Sequence, residues 1–240
     1  MSEQVTKRGD VIRYVDMTIS EGFSIQRGMN FNVNGRDYGI ILMSVRKSAP
    51  YADRFEDNGT TIIYEGHDVQ SNYIDDGSNP KDIDQQMVTP SGTLTENGKF
   101  YQAAKDYLQG KPTKIIKVYE KIKAGIWVNN GYFMLTDAWI EKSGNRNVFK
   151  FKLEMQEEKD DSAAAADFTE LELEHNRLIP TSVKVEVWQR DKGKCVKCGS
   201  TVNLHYDHII PFSKGGSSTT AANIQLMCAR CNLHKHDNIE

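Results

Sequence analysis

Two short cysteine pairs constrain this chain more than anything else in its 240 residues. Cys195-Val196-Lys197-Cys198 and Cys228-Ala229-Arg230-Cys231 hold all four cysteines of the sequence. Two C-x2-C turns can each offer two thiolates to one tetrahedral Zn2+, at roughly 2.3 Å per bond and with no position left open, so the ion is expected to be structural. A disulfide pair or unligated buried thiols are the alternatives. The first residues, MSEQVTKRGD, lack the apolar stretch of a secretion signal. Reduced thiols and a cytoplasmic location are therefore expected.

The metal has a physical task. A segment of about 65 residues buries only about 60% of its unfolded surface, whereas structural zinc supplies an apparent binding energy of roughly 10 to 16 kcal/mol. Residues 177–240 are read as a small zinc-stabilised domain that unfolds without its ion.

Charge divides the chain in the same way. Residues 1–155 carry 20 basic and 20 acidic groups, residues 156–175 one basic and eight acidic, and residues 176–240 nine basic and five acidic. Five of the six histidines lie at or beyond position 175. The stretch 156–176, with four successive alanines, reads as a solvated acidic linker, or as an acidic cover for the basic segment behind it. A mean hydropathy of -0.58 and the absence of any apolar run near 20 residues exclude a helical membrane span.

Residues 1–155 form a second domain. Short β-rich runs recur, such as Tyr38-Gly39-Ile40-Ile41-Leu42-Met43, Thr60-Thr61-Ile62-Ile63-Tyr64 and Lys114-Ile115-Ile116-Lys117-Val118-Tyr119. Asn129-Asn130-Gly131 between two such runs reads as a hairpin turn, since Asn-Gly supplies the positive φ that tight turns need. Val148 to Leu153 alternates like a strand with one wet face. Phe100, Ala103, Ala104, Tyr107 and Leu108 share one face of a helix that Gly110 and Pro112 stop. Pro80 to Gly98 reads as a long surface loop. The expected class is α+β: a mostly-β curled sheet or partial barrel with a packed helix, followed by the small C-terminal domain.

Between the cysteine pairs lie Leu204-His205-Tyr206-Asp207-His208-Ile209-Ile210-Pro211, the turn Ser213-Lys214-Gly215-Gly216-Ser217-Ser218, then Asn223, Asn232, His234, Lys235 and His236. From Trp188 to Lys235 this pattern closely resembles the HNH endonuclease family, whose site is a β-hairpin and a helix around one divalent metal. The resemblance implies His208 as general base, Asp207 and Asn232 as ligands to Mg2+ or Mn2+, His236 as a further ligand, and Asn223 as the residue that pins the hairpin loop. Neutral imidazole suits the first role and hard oxygens the second. Asn232 and His236 are four apart, on one face of a helix beginning near Cys228. His205 and His234 are packing or solvated residues, or contacts to phosphate or metal. Lys235 and Arg230 lie close enough to reach a DNA backbone, or are ordinary exposed charges.

The block Asp57 to Asp68, the helix from Asn97, the strands around Lys114 and the run through Trp139 to Leu153 resemble the SET- and RING-associated (SRA) domain of the PUA-like superfamily. That family flips a modified cytosine out of duplex DNA. The resemblance implies Tyr64 as a stacking face and Asp68 as acceptor for the cytosine amine; a strand tyrosine and a turn aspartate are the plainer readings. Asn97 and His67 read as a helix cap and a surface histidine. Arg46, Lys47 and Arg54 are candidate phosphate contacts.

Together these readings imply a modification-dependent endonuclease that acts on double-stranded DNA, with structural Zn2+, catalytic Mg2+ or Mn2+, no membrane partner, and a homodimer to cut both strands. The alternatives are an HNH nuclease for unmodified DNA and a noncatalytic DNA-binding protein.

Overall fold

The computed structural model describes residues 6–74, 76–156, 178–211 and 214–235. The acidic stretch read as a linker falls almost wholly outside them, as does His236.

Among the described residues ten strands form one sheet. In chain order the elements are β1 (Asp10–Arg13), α1 (Tyr14–Glu21), β2 (Met29–Asn30), β3 (Gly39–Met43), β4 (Arg54–Glu56), β5 (Thr61–Glu65), α2 (Glu96–Leu108), β6 (Ile115–Lys123), β7 (Ile126–Ser143), β8 (Arg146–Met155), α3 (Thr181–Arg190), β9 (Leu204–His208), β10 (Ile224–Cys228) and α4 (Ala229–Lys235). The main path runs β10-β9-β1-β7-β6-β3-β2, while β8 joins β7 to β5 and β5 joins β4. β3 lies parallel to β6 and reads as an unbroken apolar run because both its faces are covered.

Helix α2 forms where its periodicity places it. The Thr95 hydroxyl accepts from the Gly98 N–H at 3.1 Å, capping its first turn. Phe100 and Ala104 are fully buried against Phe133, Phe149 and Phe151 of the sheet. Gly110, at φ +88°, ends it. The stretch before it is less loop-like than its composition implies, with a 3-10 turn at Pro80–Asp82 and a bridge between Val88 and Leu94.

Two local expectations need correction. Asn129-Asn130-Gly131 is not a turn: β7 runs straight through it, and the reversal from β6 lies at Ala124-Gly125. Opposite these residues the β6–β7 register slips, Lys117 facing Tyr132 and Tyr119 facing Asn129. The positive φ of Gly131 serves a bulge, an equally good use for such a residue. The second correction is β8, whose polar face is not uniformly wet. Lys150 is 2% exposed and pairs with Glu65 at 2.8 Å.

The two expected domains share their interior. β1 lies between β7 and β9, with Val11 opposite Val128 on one side and Leu204 on the other. One cluster joins Ile122 and Val128 to Ile179, Val183 and Val187 around α3 and to Tyr206, Ile224 and Leu226 of the C-terminal hairpin.

Candidate functional site

The four cysteines converge. Their sulfurs all lie within 4.8 Å of one another, and Cys198 Sγ is 3.6 Å from Cys228 Sγ. Tetrahedral ligation at about 2.3 Å places sulfurs about 3.8 Å apart, so the cluster has the size of a metal cage. Its electrostatics agree. Burial opposes charge on Cys195, but backbone N–H donors from Cys228, Cys198 and Lys197 overcome it and bring the thiol down to about 6. Hydrogen bonding with Cys198 and Cys228 pushes Cys231 up to about 12. Four adjacent thiols cannot all ionise unless a cation sits among them.

β9 and β10 form the antiparallel hairpin, pairing Leu204 with Cys228, Asp207 with Gln225 and His208 with Ile224. Adjacent strand residues face opposite sides, and Asp207 and His208 have separate surroundings. The half-buried His208 places Nε2 2.9 Å from the hydroxyl of Ser218. Burial, with the Lys235 ammonium, holds its pKa below the ordinary histidine value against the pull of Asp207. The imidazole is thus neutral at physiological pH, the form that accepts a proton.

Asn223 staples the loop beyond His208. Its Oδ1 accepts from Ile210 N at 2.8 Å, and its Nδ2 donates to the carbonyls of Ile210 at 3.1 Å and Ser217 at 3.0 Å. Ser217 precedes the histidine's partner. The loop approaches the hairpin so closely at Gly216 that an added Cβ would lie 1.9 Å from the Ile210 carbonyl oxygen, so only glycine fits.

Asp207 Oδ2 accepts from Gln225 Nε2 at 3.0 Å and from Lys235 Nζ at 2.7 Å. Lys235 also donates to the His208 carbonyl. It is 1% exposed, so this lysine points inward and is not a DNA-facing charge. Asp207 already holds one cation through Oδ2, and no partner engages Oδ1 among the described residues. Asn232 is half-buried on α4, three positions before Lys235 and on the same helix face. His205 lies at the seam with β1, its Nδ1 3.5 Å from Asp10 Oδ1, and His234 is exposed.

In the N-terminal part, a cavity of about 740 Å³ is lined by Tyr51, Asp53, Tyr64, His67 and Asp68, with Arg27, Arg46, Lys99 and Lys121 also on its walls. That volume is within the range of small-molecule sites. Tyr64 is 1% exposed and its hydroxyl lies 3.3 Å from His67 Nε2. The His67 ring stacks on Tyr51 at 5.7 Å and 20°. Burial lowers its pKa to about 4, so it is neutral and not the surface histidine its sequence context implies. The Asn97 side chain clamps the His67 backbone, accepting from its N–H and donating to its carbonyl, both at 2.8 Å.

Asp68 is committed elsewhere. Arg146 lies 2.6 Å from Oδ1 and Lys81 2.9 Å from Oδ2. Burial disfavours its charge, yet these two cations keep it below the usual carboxylate range. Asp53 differs: burial raises it to about 6, although the N–H groups of Glu65 and Ser44 donate to it. Tyr51 and Asp53 escape the sequence reading because Ala52 separates them in a polar stretch with no pattern of its own.

Residues 195–238 match the family described as HNH endonuclease. The match takes in the four cysteines and the Asp207–His208 hairpin. No curated protein matches the chain. Among solved structures, the SRA domain of SUVH5 in complex with methylated CHH DNA is 20% identical, covering 63% of this chain and 88% of that one, with a TM-score of 0.44. The SUVH5 SRA complex with hemi-methylated CG DNA is 24% identical over 62% and 88%, with a TM-score of 0.42. The modification-dependent TagI restriction endonuclease is 14% identical over 96% of this chain and 77% of its own, with a TM-score of 0.41.

Proposed function

We propose that this chain is a modification-dependent DNA endonuclease, in which the N-terminal part selects duplex DNA containing 5-methylcytosine or a related base and the HNH module hydrolyses a nearby phosphodiester. The observation that carries this reading is the hairpin of the HNH segment, where a neutral His208 and the Asp207 carboxylate stand on adjacent residues braced by Asn223 and α4.

His208 accepts the proton of the attacking water as the new P–O bond forms and the bond to the 3′ oxygen breaks, and the departing oxygen takes a proton from solvent, leaving a 5′-phosphate and a 3′-hydroxyl. Ser218 and the Asn223 staple hold the imidazole and its loop in place. Asp207, through the oxygen that Lys235 leaves open, and Asn232 would hold Mg2+ or Mn2+, which supplies Lewis-acid stabilisation of charge on the phosphate. His236 would complete that set. The four cysteines would hold Zn2+ and fix α4 against the hairpin.

Flipping a base costs a few kcal/mol of stacking and pairing, which the cavity must return through aromatic faces and base-edge hydrogen bonds. His67 offers the face, backed by Tyr51, on which it stacks and which Lys81 covers; the Tyr64 ring, 1% exposed, is itself closed to a base. Asp53 and Asp68 offer acceptors for the exocyclic amine, and Asp53 is the less committed of the two. With one nuclease site per chain, a double-strand break takes two chains or two visits.

The test is digestion of matched plasmids, with and without cytosine methylation, by purified protein in Mg2+ or Mn2+. Cleavage confined to methylated plasmid is expected. Equal cutting removes the modified-base reading in favour of a nuclease for unmodified DNA, and binding without cutting of any plasmid makes the chain a noncatalytic binder. Asp68→Ala and Asp53→Ala, compared in the same digest, show which carboxylate the preference depends on.

A further inference from the structure

β1 belongs to the N-terminal part in sequence and to both parts in space. It hydrogen bonds to β7 on one side and β9 on the other, so the sheet crosses the boundary without a break. Behind this seam lies a buried polar network. The Lys184 ammonium on α3 donates to Glu120 Oε2 on β6 and to Asn130 Oδ1 on β7, both at 2.7 Å. The Thr181 hydroxyl donates to Glu120 Oε1, and the Tyr206 hydroxyl on the hairpin donates to the Lys184 carbonyl at 2.7 Å. The Glu120 and Lys184 side chains are 0% and 3% exposed. Any slide of α3 would strand a carboxylate or an ammonium without water or partner, which buried charges resist strongly, and a slide of the hairpin against α3 would break the buried Tyr206 bond. The network therefore sets an angle as well as an attachment.

We propose that this seam fixes the separation between the base cavity and His208, so that the enzyme cuts at one set offset from the modified base. This rests on the function proposed above. A nuclease on a flexible tether samples a range of separations and leaves scattered ends. A nuclease built into the same sheet as the base cavity does not.

The test uses the full chain, Mg2+ or Mn2+, and duplexes of about 60 base pairs, several turns of about 10 base pairs each, with a single 5-methylcytosine at the centre, the ends being mapped by sequencing. Ends clustered within a few nucleotides on each strand are expected. Methyl-dependent ends spread over a full turn overturn the fixed offset while leaving the proposed function intact. Cutting indifferent to the methyl group overturns the function instead.

A second measurement reads the seam without DNA. With a protease site placed within 157–177 and then cut, the two fragments should co-elute as one species, and their separation overturns the seam. In the double variant Glu120→Gln, Lys184→Met, which leaves no lone buried charge, the window of ends should at least double while total cleavage stays within about threefold. An unchanged window removes Lys184 as the positioning residue. A variant that does not fold returns the decision to the first two measurements.

Discussion

Replacing Lys235 by methionine removes a cation from a place where a carboxylate depends on it. The ammonium lies 2.7 Å from Asp207 Oδ2, with side chains 1% and 16% exposed. Breaking a buried pair by deleting one partner costs about 3 to 5 kcal/mol. Gln225 still donates to the same oxygen at 3.0 Å, and Asp207 keeps some contact with solvent, so the loss falls at or just below the low end of that range. About 2 to 3 kcal/mol is expected, which for a chain of this size lowers the Tm by roughly 5 to 10 °C. A divalent ion bound at Asp207 would supply the missing charge, and a ligand that binds only the folded state stabilises it by mass action. Differential scanning calorimetry of wild type and Lys235→Met, each with and without millimolar Mn2+, reads both effects. The variant should melt lower and gain more from Mn2+ than wild type does. A fall below about 2 °C, or one that Mn2+ does not relieve, would overturn the assignment of Asp207 as a cation holder.

His208→Ala should abolish strand cleavage while zinc content and binding of methylated duplex persist; loss of zinc would mark the residue as structural. Asn223→Ala leaves one N–H and two carbonyls short of a partner and should cost about 2 to 4 kcal/mol, measured by urea unfolding, with a large loss of nicking. Asn223→Asp, which keeps only the acceptor, should fall between. Removing zinc with a strong chelator should abolish nicking and expose the α4 amides to hydrogen exchange; unchanged protection would refute the cage. Asp53 has a pH signature. Its folded pKa of about 6 lies above the ordinary 3.8, so its stabilising contribution is full below pH 4, declines as pH rises to 6, and is lost above. The ionised carboxylate accepts from a base amine more strongly than the protonated form does, so affinity for methylated duplex should rise through pH 6. Asp53→Asn should flatten that rise, and an unaltered profile would reject the role.

What could be read in the sequence was what local chemistry determines. The cysteine spacing, the α2 periodicity and the strands at Gly39–Met43 and Thr61–Glu65 follow from residues close in the chain. Asp207, His208 and Asn223 stand out only through the resemblance of their segment to the HNH family. Features set by distant partners were not legible. Gly131 has the same φ whether it makes a turn or a bulge, and only its register with Lys117 and Tyr119 decides. Nothing near Lys235 signals that its ammonium faces Asp207 across the module. Tyr51 and Asp53 acquire meaning only when β4 and β5 fold back against His67.

The place of Val11 between Val128 and Leu204 also bears on how the molecule comes to be made. Contacts between residues so far apart in sequence are slow to close, and on the ribosome β9 and β10 emerge only after the other strands of the sheet. The hairpin that carries His208 thus finds its docking strand already laid down by the first part of the chain, and a truncated product lacking the last strands would possess the cavity but no scissors.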